Sequence, residues 1–380
     1  MNKLITKYVK LYTNRVGWKT DKKIVVFESD DWGAIRMPNK IVYDKLIKTN
    51  DKLVDDNYSK FDGIARTDDL EILFEVLSKH KDKNENNPVI TANTIVANPD
   101  FEKIRKSNFT NYEFETFDKT IEKLQDGHNI LKLWNEGIKS KIFKPQLHGR
   151  EHLNVPLWME ELKLGNKDLL DAFEEGCFGV PYIPLLNNKR RNVMAALDYV
   201  GINGEIEFKN NYIEEAVQIF EDYFGFKSKS FIATAYIWNS SIEVKLKDGG
   251  IEYLQGLPIQ YSPSQKENTF KKKLHYIGQK NKNNQIYLTR NAFFEPSTGE
   301  NHEYLTTLKS IEQAFKYRKP AIIGTHRINF IGSMVENNRD KNIRQFNNLL
   351  KEIISKWPDV EFMTSDQLGD SILNYKCDKL

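Results

Sequence analysis

Short apolar, β-branched runs alternate with amphipathic stretches along most of the chain, and this alternation restricts the fold more than any other feature. The runs fall at residues 23–28, 89–96, 142–147, 230–237, 251–259, 285–289, 321–324 and 360–363. Between them apolar residues recur at three-and-four spacing, as in 67–80 (Leu70, Leu73, Leu77) and 117–138 (Phe117, Ile121, Leu124, Leu131, Ile138). Further helical patterns occupy 212–224, 302–317 and 337–357. Parallel strands need crossovers, and helices are the usual ones, so the pattern predicts an α/β protein with a mainly parallel sheet. Seven or eight such strands can close into a (β/α) barrel. A doubly wound open sheet is normally marked by a glycine-rich turn after its first strand, whereas here Asp30, Asp31 and Trp32 take that place. No linker or internal repeat divides the chain, which predicts one domain over 1–380. Residues 153–229 and 262–284 are too long for simple crossovers and are expected as insertions over one rim.

Composition excludes several classes. Lys and Arg total 56 against 53 Asp and Glu, and a net charge of +3 gives no case for a nucleic-acid partner. Cys177 and Cys377 stand far apart, without the spacing of a disulfide framework or a cysteine metal site. No stretch has the apolar length of a signal-peptide core or a membrane span, so a cytoplasmic location with no transmembrane segment is the expectation. The first residues, MNKLITKYVKLYTNRVGW, read as a short helix packed on the domain.

Parallel barrels carry chemistry at the carboxyl ends of their strands, so the polar residues following each run matter most. The first run, KIVVFESDDW, ends in Asp30 and Asp31, and VITANTIVAN follows with Asn93. FKPQLHGREHL contributes His148 and His152, IYLTRNAFFEP contributes Arg290 and Glu295, and AIIGTHRINF contributes His326. His148 and His152 are four apart, which on a helical turn places both rings on one side, able to grip one metal ion. A carboxylate such as Asp31 completes a set that leaves positions open for water and substrate. Trp32 and Trp238 follow strands, and their faces suit the apolar side of a sugar ring. With Asn93 and Glu295 they are the candidate substrate contacts.

Asp30-Asp31, then His148-x-x-x-His152, then a late strand ending in His326, resembles the polysaccharide deacetylase family of NodB type (carbohydrate esterase family 4-like). The resemblance implies a distorted (β/α) barrel and a metal-dependent hydrolase that removes an N-acetyl or O-acetyl group from a saccharide or glycan precursor. It implies Asp30 as general base, Asp31, His148 and His152 as ligands of a divalent metal, with zinc expected, and His326 as general acid. The family's Arg-Pro-Pro-Tyr motif is replaced here by RNAFFEP, in which Arg290 either orients Asp30 or pairs with Glu295. Three other readings compete. HGREH fits the inverzincin pattern of a metallopeptidase, with His148, Glu151 and His152 on a sustained helix. Two histidines and a carboxylate also suit a non-haem iron oxygenase. The third is a non-catalytic carbohydrate-binding barrel.

Overall fold

The computed structural model describes residues 3–180, 185–186, 189–190, 192–264, 269–299 and 303–377. Nine strands form one parallel sheet: β1 (Lys23–Trp32), β2 (Ile90–Ile95), β3 (Phe143–Gly149), β4 (Ser230–Ile232), β5 (Tyr253–Gly256), β6 (Ile286–Thr289), β7 (Ala292–Phe293), β8 (Ala321–His326) and β9 (Val360–Met363). Their order is β6-β5-β4-β3-β2-β1-β8-β7, with β9 beside the first half of β1. The two outermost strands, β6 and β7, are consecutive in the chain. Arg290 N–H donates to the carbonyl of Gly256, the last residue of β5, and Asn291 N–H donates to the Ile322 carbonyl of β8. The two edges thus meet at a kink in one strand, and the sheet is a distorted (β/α) barrel.

Alternation along the strands separates two apolar layers. Val25 and Phe27 pack outward with Leu73 and Leu77 of α1 (Thr67–Ser78), Trp134 of α2 (Gly127–Lys139), Phe220 of α3 (Glu205–Phe224) and Phe346 of α4 (Glu336–Lys356). Ile24 and Val26 point inward, where they meet Ile286, Leu288 and Ile322 together with Leu368 and Ile372 of α5 (Ser365–Cys377). Full burial of an Ile or Leu side chain stabilises by about 1.5–3 kcal/mol. The inner layer therefore plugs one end of the barrel firmly, and the polar residues that follow it on the same face are pushed toward the other end.

Four expectations change. The run 230–237 is a strand only to Ile232; beyond it Ala235 and Tyr236 adopt left-handed φ values of 54° and 57°. The run 251–259 ends at Gly256, and Ile259–Pro263 instead pairs with Phe270–Leu274 in a separate antiparallel hairpin. The pattern at 117–138 breaks into Phe117–Glu122 and α2, because Gly127 packs so closely on the Ile121 carbonyl that a Cβ would stand 2.1 Å from it. The helix expected over 302–317 is Tyr304–Lys316, and His302 lies outside the described residues. The amino-terminal residues Lys3–Arg15 are helical as expected. Among the described residues, no helix is long and apolar enough to cross a membrane.

Candidate active site

The site grows out of the inward face of β1. Simple alternation carries Ile24 and Val26 into Glu28 and Asp30, and would turn Asp31 outward into the helices. A register shift between Ser29 and Trp32 interrupts the pairing with β2, and Asp31 takes φ 73°. Left-handed backbone at a residue other than glycine costs about 1–3 kcal/mol and persists only where its surroundings enforce it. Here it returns Asp31 to the same cavity as Asp30. The cavity, of about 330 Å³, is lined by both aspartates with Arg36, Tyr58, His148, His152, Tyr236 and His326 among others.

On one side lie Asp31 and two imidazoles. Asp31 Oδ1 is 3.3 Å from His148 Nε2 and 3.2 Å from His152 Nε2. His148 ends β3 and donates its Nδ1–H to the Ile232 carbonyl at 2.9 Å, so in the neutral ring Nε2 presents a lone pair to Asp31. His152 lies beyond a turn at Gly149, whose φ is 127° and where a Cβ would meet the Tyr212 hydroxyl at 2.3 Å. The pair is therefore joined by strand and turn. The helical turn expected from the four-residue spacing is absent, because Gly149 carries the chain away in a direction a helix cannot take. Burial lowers His152 to about 3, outweighing the Asp31 charge, and keeps this ring neutral. Asp31 is held well below the usual carboxylate range: burial alone would raise it, but the Arg36 guanidinium outweighs that. Arg36 donates from Nη2 to Asp31 Oδ2 at 3.2 Å and lies 3.5 Å from Asp62.

On the other side, Arg290 reaches in from the kink between β6 and β7. It passes Gly324 of β8, where a Cβ would come within 2.6 Å of its Cδ. Its guanidinium grips both oxygens of Asp30, at 2.8 and 2.6 Å, and Glu28 at 2.8 Å. Burial would raise Asp30, but Arg290 outweighs it and holds the acid below its ordinary value. His326, ending β8, has Nε2 3.7 Å from Asp30 Oδ2 and Nδ1 2.5 Å from Glu295 Oε1. Burial would lower this ring; Glu295, with Asp30 and Asp31 behind it, raises it to about 9. Asp30 is thus a carboxylate and His326 an imidazolium at neutral pH.

The structure brings Asp30, Asp31, His148, His152, Arg290 and His326 together. Arg290 takes Asp30 and leaves Glu295 to His326. None of the four candidate substrate contacts is among the residues lining the cavity. Trp32 is 1% exposed, edge-on to Phe143 at 4.9 Å, with its Nε1–H on Ser29 Oγ, because the apolar helix layer claims the ring. Trp238 is 3% exposed and donates to Glu243. Asn93 is buried and spent on Asp30 and Gln255, at 2.7 and 2.8 Å. Glu295 sits behind His326 and accepts from Asn329 at 2.7 Å. Glu151, the base of the peptidase reading, is buried and paired to Arg150 at 2.7 Å, away from the cavity. Arg36, Tyr58 and Tyr236 went unread in the sequence. Tyr236 lies inside the apolar run 230–237 but past the observed end of β4, and Arg36 lies five residues beyond Asp31, so neither stands at an expected strand end.

No protein-family model matches the chain, and no curated protein matches its sequence. Similar solved structures include a "putative polysaccharide deacetylase" from Mycobacterium smegmatis, at TM-score 0.44 and 10% identity, with 95% of this chain and 94% of that one covered. A "probable Polysaccharide deacetylase" from Pseudomonas aeruginosa PAO1 has TM-score 0.42 and 9% identity, with 92% and 91% covered. A 4-alpha-glucanotransferase from Thermococcus litoralis has TM-score 0.43 and 11% identity; 91% of this chain is covered, and the chain spans 40% of that protein's length.

Proposed function

We propose that the chain is a metal-dependent hydrolase that removes an acetyl group, from nitrogen first and oxygen second, from a saccharide or glycan precursor. One observation carries the reading: an ionised Asp30 and a protonated His326 face each other at 3.7 Å beside a carboxylate flanked by two imidazoles. Splitting two titratable groups in opposite directions is how a site assigns a base and an acid.

The three donors suit a divalent cation. Their ligating atoms all lie within 4.8 Å of one another. Ligands bonded at 2.0–2.1 Å to a tetrahedral zinc stand roughly 3.3–3.4 Å apart, close to the Asp31–imidazole distances. Two imidazole Nε2 atoms directed at one carboxylate oxygen also leave a place that a cation satisfies. Asp31, His148 and His152 would hold it, and zinc is the proposed ion. Bound there, the ion supplies Lewis acidity and an acidified water.

The chain's own residues handle the protons. As the water oxygen bonds to the acyl carbon and the carbonyl electron pair moves onto oxygen, Asp30 accepts the water's proton, with Arg290 fixing its direction. As that pair returns and the C–N bond breaks, His326 gives its Nε2 proton to the nitrogen, yielding acetate and a free amine. Glu295 on Nδ1 keeps the ring turned so that this proton faces the cavity. The test is acetate release by the zinc-loaded protein from a panel of N-acetylated oligosaccharides and nucleotide-linked and lipid-linked sugars. Release matched by new amine is expected, and Asp30→Asn abolishes it. Zinc bound at one per chain with no acetate from any member would refute the proposal and leave a binding barrel.

A further inference from the structure

Among the described residues, the Tyr58 hydroxyl at the cavity has no hydrogen-bond partner. Tyr58 is the second residue of the short helix Asn57–Phe61, whose first turn is fixed by Asp56 accepting from the Ser59 N–H at 2.8 Å. Two contacts set the ring. The Arg36 guanidinium lies over it, 4.6 Å from its centroid, and the His326 ring meets it edge-on at 5.4 Å and 81°. Tyr58 thus lines the cavity together with Asp31 and His326. The neighbouring phenol, Tyr236, already accepts from Arg290 Nη1 at 2.9 Å. Tyr58 is half-buried, at the cavity wall. Burial, followed by the charges of Glu295 and Asp31, raises the Tyr58 phenol well above its ordinary value, so it keeps its proton wherever the site functions.

We propose that Tyr58 is a catalytic residue whose hydroxyl donates a hydrogen bond to the acyl oxygen of the substrate as negative charge gathers there. The inference rests on the hydrolase reading above. A hydrogen bond to an ionic oxygen is roughly twice as strong as one to a neutral oxygen, so such a donor favours the transition state over the bound substrate. A ring held on its face by Arg36 and at its edge by His326 needs no reorganisation as the charge develops, the condition under which donors of this kind contribute most. No proton leaves Tyr58. It returns to its free state when the oxygen's electron pair re-forms the carbonyl and the amine departs.

Zinc-loaded Tyr58→Phe, compared with the parent protein on an acetylated sugar that the parent hydrolyses, tests this. The expected result is a fall in kcat of about 10²-fold or more, with KM within roughly twofold. Zinc content and near-UV circular dichroism should match the parent, showing that the ring still packs. A phosphonate that mimics the tetrahedral, charged intermediate should lose affinity by a factor similar to the loss in kcat/KM, while the amine product binds as before. Unchanged kcat, or a loss confined to KM, overturns the inference, the second by assigning the hydroxyl to a sugar hydroxyl. If the parent protein releases no acetate, the hydrolase reading fails and the role of Tyr58 with it; turnover by the parent matched by Tyr58→Phe sinks the inference alone.

Discussion

His152 and His326 border the same cavity, yet burial neutralises one while the other stays charged. His152 shares one carboxylate with a second imidazole, and Arg36 holds that carboxylate from behind, so too little negative charge remains to offset desolvation. His326 has Glu295 to itself at 2.5 Å, with Asp30 and Asp31 adding to it. Arrangement of carboxylates, more than depth, separates a metal corner from an acid–base corner. Each corner can be disturbed without the other.

The largest effect should come from the metal corner. His148→Ala or Asp31→Asn should weaken zinc binding by well over ~10²-fold, beyond the 10–100-fold typical of residues that only support a ligand; competition with a chelator measures it. Asp30→Asn should lower kcat by about 10²–10⁴-fold with zinc affinity retained. Loss of zinc affinity along with turnover in Asp30→Asn would mean that the corners are one unit.

Glu295→Gln should act on pH dependence. His326 must be protonated to serve as acid, so its titration near 9 sets the alkaline limb of activity, and removing the Glu295 charge should move that limb to lower pH. Stability gives an independent readout with opposite signs at the two rings. His326 titrates higher folded than unfolded, so its contribution is complete below about pH 6.5 and is lost as pH rises through about 9. His152 titrates lower folded than unfolded, so the metal-free protein should lose stability as pH falls from about 6.5 toward about 3. Thermal melts of Glu295→Gln and His152→Asn against pH would show whether the two windows separate.

The smallest effect on activity is expected from Glu151→Gln, with kcat and zinc content near the parent's. Its cost should appear in stability, approaching the ~3–5 kcal/mol of a broken buried ion pair and reduced because Glu215 faces the same guanidinium. Loss of turnover in this variant would revive the peptidase reading.

Much of this was legible from residue order, because barrel strands are apolar on both faces and polar residues past their ends mark the active rim. That logic named Asp30, Asp31, His148, His152 and His326, which line one cavity, and Arg290, which grips Asp30. It failed where backbone direction decides. Nothing in SDDWG announces the left-handed turn at Asp31, and HGREH has helical spacing while Gly149 folds it as a turn. It failed again at the tryptophans, since placement after a strand does not say whether a ring meets solvent or the helix layer. Arg36 lies in irregular chain and Tyr58 in a five-residue helix between β1 and α1, where no periodicity points to a shared cavity.

The kink at Arg290–Asn291 joins mechanics to chemistry. The residue that rivets the ring of strands shut is also the counter-ion of the proposed base, so prying that joint apart strips Asp30 of its positive neighbour while the outer helices still stand. Turnover should then disappear at lower denaturant than the far-ultraviolet helical signal, and coincident loss of the two would show that the joint is no weaker than the rest of the wall.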